Sequence, residues 1–356
     1  MAGRAIKELE AGGRVLVTRL QYLGDVILTL PLVQLLSQRF PLAQIDYLAR
    51  EAAADVLCGE PLFSRVWRLP DKSDGYGTVY RFFRELRGRR YSLAIDLYSN
   101  PRSALTTRLS GASMRIGGSR RMRKHLYTHP TVVAKTVRAA TEFHIEHLTH
   151  LGIKGQPGKP SLTISELERD RARATLKKHG VNVDMPVIGI HPGGKWEVKR
   201  WPVKHFASLA GRLIEVFGMQ IVAMCGAGEE AHREVLREVV GSRAVYLPTL
   251  PIRETAAIIA ELDAMVVNDG GIMHVSVAVD TPTVGIFGSA EPDIWFPYED
   301  FGPYQAAYTP IACRPCHSHV CGHLSCLWTL TPDMVEKKLL AVMESNKTRS
   351  TNPATS

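Results

Sequence analysis

A chain of 356 residues is too long for one typical domain and long enough for two, each with its own core. A hydrophobic content of 45% with 22% charged residues excludes a disordered or fibrous polymer. No apolar run is long enough to span a bilayer and the N-terminus lacks a signal-peptide pattern, so a cytoplasmic protein is expected.

The net charge of +9 points to an anionic partner. Residues 81–90, RFFRELRGRR, and 115–124, RIGGSRRMRK, carry its densest concentrations. A single arginine is more often a solvated surface group. Two clusters in one half suggest an acidic acceptor, and no nucleic-acid motif accompanies them, so nucleic acid is not expected.

In chain order, RVLVTR (14–19) reads as a short buried strand and LQYLGD as a glycine-containing turn. ILTLPLVQLLSQRF follows as a helix with Pro31 early. Asp25 falls between strand and helix. An Asp there is a common N-cap; a carboxylate at the carboxyl end of a first strand is also placed to take a proton from an acceptor hydroxyl. IDYLAR is a second strand and SLAIDLY (92–98) a later one.

KGQPGKPSLT (154–163) reads as a linker, after which the grammar restarts. ISELERDRARATLKKHG is a polar helix ending at Gly180, and PVIGIHPGG is a strand entering a glycine turn. In HPGGKWEVKRWP (191–202) the amides of Gly193 and Gly194 can approach phosphates, and Lys195 and Lys199 can neutralise a diphosphate. Trp201-Pro202 reads as a helix-start wedge. In CGAGEE (225–230) Glu230 is either a favourable acid at a helix start or a ribose acceptor, and TLPI (249–252) offers apolar contact to a base.

The most informative stretch is 268–288, NDGGIMHVSVAVDTPTVGIFG. It reads strand, Asp269, a Gly270-Gly271 turn, a helix carrying His274, and a second strand. That layout puts a helix N-terminus beside parallel strand ends and suits a phosphorylated ligand. Asp269 fits sugar positioning or turn stabilisation better than a base. No second carboxylate stands nearby to hold a catalytic metal, so a metal-free mechanism is the expectation. TPDMVEKKLLAVMES ends in a helix over 333–346, and 347–356 reads as a disordered tail.

Cys58 and Cys225 lie in apolar contexts. Cys313, Cys316, Cys321 and Cys326 cluster with His317, His319 and His323. The cluster is read as a structural metal site, redox-labile thiols or unligated thiols, with all three open and a catalytic metal least favoured. The whole pattern predicts two Rossmann-like, doubly wound α/β domains facing a cleft, 1–160 and 161–332.

These stretches together resemble the heptosyltransferase family of glycosyltransferases, family nine. The resemblance rests on GDVILTLP, KRWP and DGGxxHxxxAxxxPTVGIFG in order, and it spans most of the chain. It implies the two-Rossmann GT-B architecture and an inverting, metal-independent enzyme requiring no cofactor. The implied donor is ADP-heptose and the implied acceptor an anionic, lipid-linked lipopolysaccharide core at the inner membrane. It makes Asp25 the base, with Lys199 on phosphate, Glu230 on ribose, Leu250 at adenine, and Asp269, Gly270, Gly271 and His274 on the donor. Gly24, Arg120, Arg121, Arg123 and Lys124 fall on the acceptor side. Relatives often carry hydroxyl residues where this chain has Gly193, Gly194 and Gly270, so backbone amides would serve phosphate here. The alternatives are another activated sugar or acceptor, a sugar-nucleotide epimerase, and a binding module without turnover.

Overall fold

Short runs of Val, Leu and Ile, buried on both faces, form the centre of two parallel sheets. The computed structural model describes residues 2–71, 73–119, 121–132 and 139–351. The chain divides into two units, Met1–Pro160 and Ser161–Ser356.

The first unit runs α1 (Ala2–Glu10), β1 (Arg14–Thr18), α2 (Leu23–Ile27), α3 (Leu30–Arg39), β2 (Gln44–Ala49), α4 (Glu51–Asp55), β3 (Arg65–Arg68) and α5 (Gly75–Gly88). It continues with β4 (Leu93–Asp96), α6 (Pro101–Leu109), β5 (Met114–Gly118), β6 (His129–Thr131) and α7 (Ala140–Ile145). Its strands lie in the order β3-β2-β1-β4-β5-β6, and every recorded pairing is parallel.

The second unit runs α8 (Glu166–Lys178), β7 (Val187–His191), α9 (Val203–Phe217), β8 (Gln220–Ala223), α10 (Glu230–Val240), β9 (Ala244–Tyr246) and α11 (Ile252–Ile259). Then come β10 (Ala264–Asn268), α12 (Gly271–Ala278), β11 (Thr283–Ile286), α13 (Pro292–Trp295), β12 (Tyr304–Ala307), α14 (Ser325–Trp328) and α15 (Pro332–Thr351). The order β12-β11-β10-β7-β8-β9 repeats the doubly wound arrangement of the first unit. In each sheet the order reverses beside the unit's first strand, between β1 and β4 and between β7 and β10. Ligands of open α/β sheets bind outside the strand ends at such a switch point.

Three local features differ from the sequence pattern. The helix expected over Ile27–Phe40 starts only at Leu30, with Pro31 in its first turn where a missing N–H costs nothing, and the expected LQYLGD turn instead runs into the short helix α2. The basic stretch 115–124 is not one surface loop: it begins inside β5, and Arg115 donates to the carbonyls of Leu126 and Ala112 at 3.0 and 2.7 Å. Finally, α15 continues through Thr351, so 347–351 is helical where a tail was expected, while 352–356 lie outside the described residues. No breaker occurs before Pro353, and Val335, Leu339 and Val342 anchor the helix to the core.

Trp201 is the largest fully buried side chain. It packs edge-on to Phe206 and donates to the Leu330 carbonyl at 2.8 Å, which fixes the start of α9 as the wedge reading anticipates. No described helix is long and apolar enough to cross a membrane.

Candidate functional site

In the first unit the chain leaves β1 at Thr18, passes Arg19 and enters α2. Asp25 is the third residue of that helix. Its Oδ2 accepts from the Tyr22 N–H at 3.0 Å, and its Oδ1 lies 3.0 Å from an Arg19 guanidinium nitrogen. Arg19 also donates to the carbonyls of Gln21 and Leu97, at 3.0 and 2.7 Å, and stacks over the Tyr98 ring at 4.8 Å. Leu97 follows β4, so Arg19 ties the two strand ends at the switch point and fixes Asp25 in one orientation.

Asp96, the last residue of β4, is fully buried. It accepts from the N–H groups of Tyr98 and Ser99, at 3.0 and 2.9 Å, and from the Tyr127 hydroxyl at 2.7 Å. Burial pushes its carboxyl above the usual range and these donors offset part of that. Sequence reasoning missed Arg19 and Asp96; the signal was a polar residue closing each of two adjacent strands. Gly24 is buried within α2 and its carbonyl accepts from Leu28 N–H. Arg123 is half-buried in the short 3-10 helix Arg121–Leu126 and Lys124 is exposed. Arg120 and the Arg121 side chain lie outside the described residues.

In the second unit the loop after β7 is tied down by two side chains the sequence reading did not single out. Asn268, at the end of β10, donates to the carbonyls of Pro192 and Gly193 at 2.8 and 2.9 Å and accepts from Trp201 N–H at 3.0 Å. Glu229 accepts from the N–H groups of Gly194 and Gly226, at 2.8 and 2.7 Å. A Cβ on Gly193 would lie 1.9 Å from the Glu229 carboxylate, so a side chain here would have to displace that carboxylate from the Gly194 and Gly226 amides. One expectation changes. The Gly194 amide is committed to Glu229 rather than turned to a phosphate. The inward acid of the pair is Glu229, because the helix turns there, while Glu230 is exposed at the start of α10. Backbone N–H groups hold Glu230 below the usual carboxylate range. His191 Nε2 lies 3.6 Å from Glu229, and burial holds its pKa down.

Lys199 ends the single turn Glu197–Lys199. Its Nζ is 2.7 Å from Asp269 Oδ2 and 5.9 Å from the centre of the Trp295 ring. Burial raises the Asp269 carboxyl, and the ammonium pulls it part of the way back. Asp269 leads directly into Gly270 and Gly271, where α12 begins without a capping side chain. The ion pair thus places a lysine at an uncapped helix start, an arrangement suited to an anion. Gly288 leaves room for the Val198 carbonyl, which a Cβ would meet at 2.2 Å, so the end of β11 packs on the Lys199 turn.

The His274 Nδ1 is 2.9 Å from the Tyr298 hydroxyl, and burial, with the nearby Lys199 charge, lowers its pKa to about 3. It is a neutral ring bracing α12. Leu250 is half-buried just ahead of α11 and Lys195 is exposed over the Trp196 ring.

All six cysteines are free. Among the described residues no three His, Cys, Asp or Glu side chains are arranged to hold a metal, so of the three open readings of Cys313, Cys316, Cys321 and Cys326 the structural metal site is not gathered. Cys326 is buried beside Leu327, whereas Cys313 and Cys316 are exposed. The segment is held by its backbone instead: the N–H groups of Cys316 and His317 donate to the Ser289 carbonyl at 3.1 and 2.9 Å.

A model of glycosyltransferase family 9 (heptosyltransferase) matches residues 79–323, a segment that contains the Lys199–Asp269 site and begins after Asp25. Lipopolysaccharide heptosyltransferase 2 of Escherichia coli (strain K12) is 29% identical over 299 residues, 79% of this chain and 84% of that protein. The glycosyl transferase family 9 structure from Veillonella parvula DSM 2008 has a TM-score of 0.83 at 22% identity, covering 93% of this chain and 97% of the other. The E. coli ADP-heptose LPS heptosyltransferase II structure has a TM-score of 0.80 at 24% identity, covering 94% and 99%. At such identities the structures share the fold.

Proposed function

The chain belongs to glycosyltransferase family 9, the heptosyltransferases, and from that premise we propose that it transfers heptose from ADP-heptose to the inner core of a lipopolysaccharide precursor. The acceptor hydroxyl attacks the anomeric carbon as Asp25 removes its proton, and the configuration inverts. The glycosidic bond to ADP breaks, and Lys199 with the uncapped start of α12 takes up the charge of the leaving diphosphate. No divalent cation or other cofactor takes part. Glu230 and Leu250 contact the nucleoside, and Lys124 with Arg123 meets the anionic acceptor. The acceptor is lipid-linked, so the enzyme works as a peripheral protein on the cytoplasmic face of the inner membrane.

The observation that carries this reading is the position of the Lys199–Asp269 pair. It lies at the switch point of the second sheet, inside the segment matched by the family model. The test is transfer from ADP-heptose to defined core acceptors, with and without EDTA. Product of inverted configuration, formed equally in EDTA, is expected. ADP-heptose binding without turnover on any core acceptor would make the chain a binding module. Donor consumption without an acceptor would make it an epimerase-like or hydrolytic enzyme.

A further inference from the structure

Helix α5 is pinned by one face and open on the other. Phe82 and Leu86 are buried, and Phe82 meets Trp67 of the edge strand β3 edge-on at 5.7 Å. The opposite stripe carries Tyr76, which is 97% exposed, Tyr80, which is 68% exposed, and Arg84, at successive four-residue steps with Arg81 beside them. Two phenol rings so fully in water on a well-anchored helix are a feature that folding of this unit does not explain.

The charge here is also unspent within the fold. On the adjoining strand Arg65 pairs with Glu85 and Arg68 with Asp55. Arg81 and Arg84 are exposed and have no carboxylate partner among the described residues. In the other basic stretch Arg115 is committed to backbone carbonyls. Arg81 and Arg84 thus stand beside exposed aromatic rings along one stripe of one helix.

We propose that this stripe of α5 is a docking surface for an anionic lipid bilayer. Tyrosine rings favour the headgroup level, where the ring is sheltered and the hydroxyl stays wet. Arginine forks pair with lipid phosphates. A helix fixed by its apolar face presents these groups without an ordering step on contact. No described helix can cross a membrane, so surface attachment gives access to a lipid-linked acceptor. That last point rests on the proposed function; the stripe itself does not.

The test is co-sedimentation of the full-length protein with phosphatidylglycerol–phosphatidylethanolamine vesicles, and with phosphatidylcholine vesicles as the neutral control. Binding to the anionic vesicles that weakens as salt rises is expected. Each basic side chain near such a surface contributes about a fivefold factor, so Arg81→Glu with Arg84→Glu should weaken binding at least about tenfold. Tyr76→Ser with Tyr80→Ser, which leaves the charge alone, should weaken it severalfold. Both variants should keep the thermal unfolding temperature and turnover on a soluble acceptor fragment. Equal binding to neutral vesicles, or unchanged binding by both variants, would overturn the proposal. So would a single-stranded oligonucleotide that binds this stripe and displaces the vesicles. Vesicle binding without any transferase activity would leave the stripe standing and remove the proposed function. Transfer without vesicle binding would do the reverse.

Discussion

Lys199 Nζ lies 2.7 Å from Asp269 Oδ2, at the point where β10 ends and α12 begins. The carboxylate is almost fully buried and the lysine is about a quarter exposed, with a side-chain exposure of 23%. Removing the lysine strands a buried charge. Lys199→Met should lower stability by about 1–3 kcal/mol, less than a fully enclosed pair would lose. It should also weaken ADP binding by roughly tenfold or more, through loss of the cation at the helix start. Thermal unfolding and calorimetric titration with ADP measure the two effects separately. Unchanged ADP affinity would remove Lys199 from the donor site.

Asp25→Asn keeps the shape and the acceptor atom facing Tyr22 but cannot take a proton. Turnover should fall by about 10²–10⁴-fold while ADP affinity stays within about twofold. A variant with full turnover would show that Asp25 is not the base.

Arg19 is a positioning residue, because it reaches Asp25, Gln21 and Leu97 at once. Arg19→Lys keeps the charge and loses the fork. It should lower kcat by about tenfold to a hundredfold with little change in donor KM. A merely structural role would instead lower the unfolding temperature and leave the kcat of the folded fraction intact.

Gly193 and Glu229 should be coupled. Gly193→Ala drives a methyl into the Glu229 carboxylate and should destabilise the second unit by about 1–3 kcal/mol. Glu229→Ala leaves the Gly194 and Gly226 amides without their acceptor and should have a similar effect. The double variant should lose clearly less than the sum, since without the Glu229 carboxylate the new methyl has nothing to strike. Additive losses in denaturant unfolding would mean that the two residues act independently.

His274 gives the pH dependence a definite sign. Its pKa in the fold is lowered to about 3 from 6.5, mainly by burial, so below about pH 6.5 the unfolded chain binds a proton that the fold does not. The contribution is present at neutral pH and is lost progressively as pH falls from about 6.5 towards 3. At pH 5 the loss is about 2 kcal/mol, at about 1.4 kcal/mol per pH unit. His274→Gln can still accept from Tyr298 and does not titrate. Urea unfolding at pH 7 and pH 5 should therefore show a smaller acid loss in the variant than in the parent.

Much of the fold was legible because parallel strands buried on both faces are continuous apolar runs. RVLVT, VIGIH and AMVVN stand out from the polar helices between them. The weaker strands hid where charge interrupts the run: RVWR is an edge strand with exposed arginines, and MRIGG lies inside a basic stretch. Local chemistry also singled out Asp25, Lys199, Asp269 and the glycine turns, because each lies in the segment that follows a strand.

The pairing of those groups was not legible. Glu229 and Glu230 are adjacent acids, and only the path of the chain into α10 turns one onto Gly194 and leaves the other in solvent. Asn268 and Arg19 read as ordinary strand-end residues until their partners are seen 76 and 78 positions away in sequence. His274 looked like part of a phosphate site, yet a tyrosine 24 residues on captures its ring. The sequence by itself determined the alternation of strands and helices, and hence two sheets with chemistry at their strand ends, since periodicity and turn residues are local properties. The tertiary structure alone decided which amides, acids and cations meet at those ends, because hydrogen bonds and ion pairs act over about 3 Å and only folding brings such distant residues within that range.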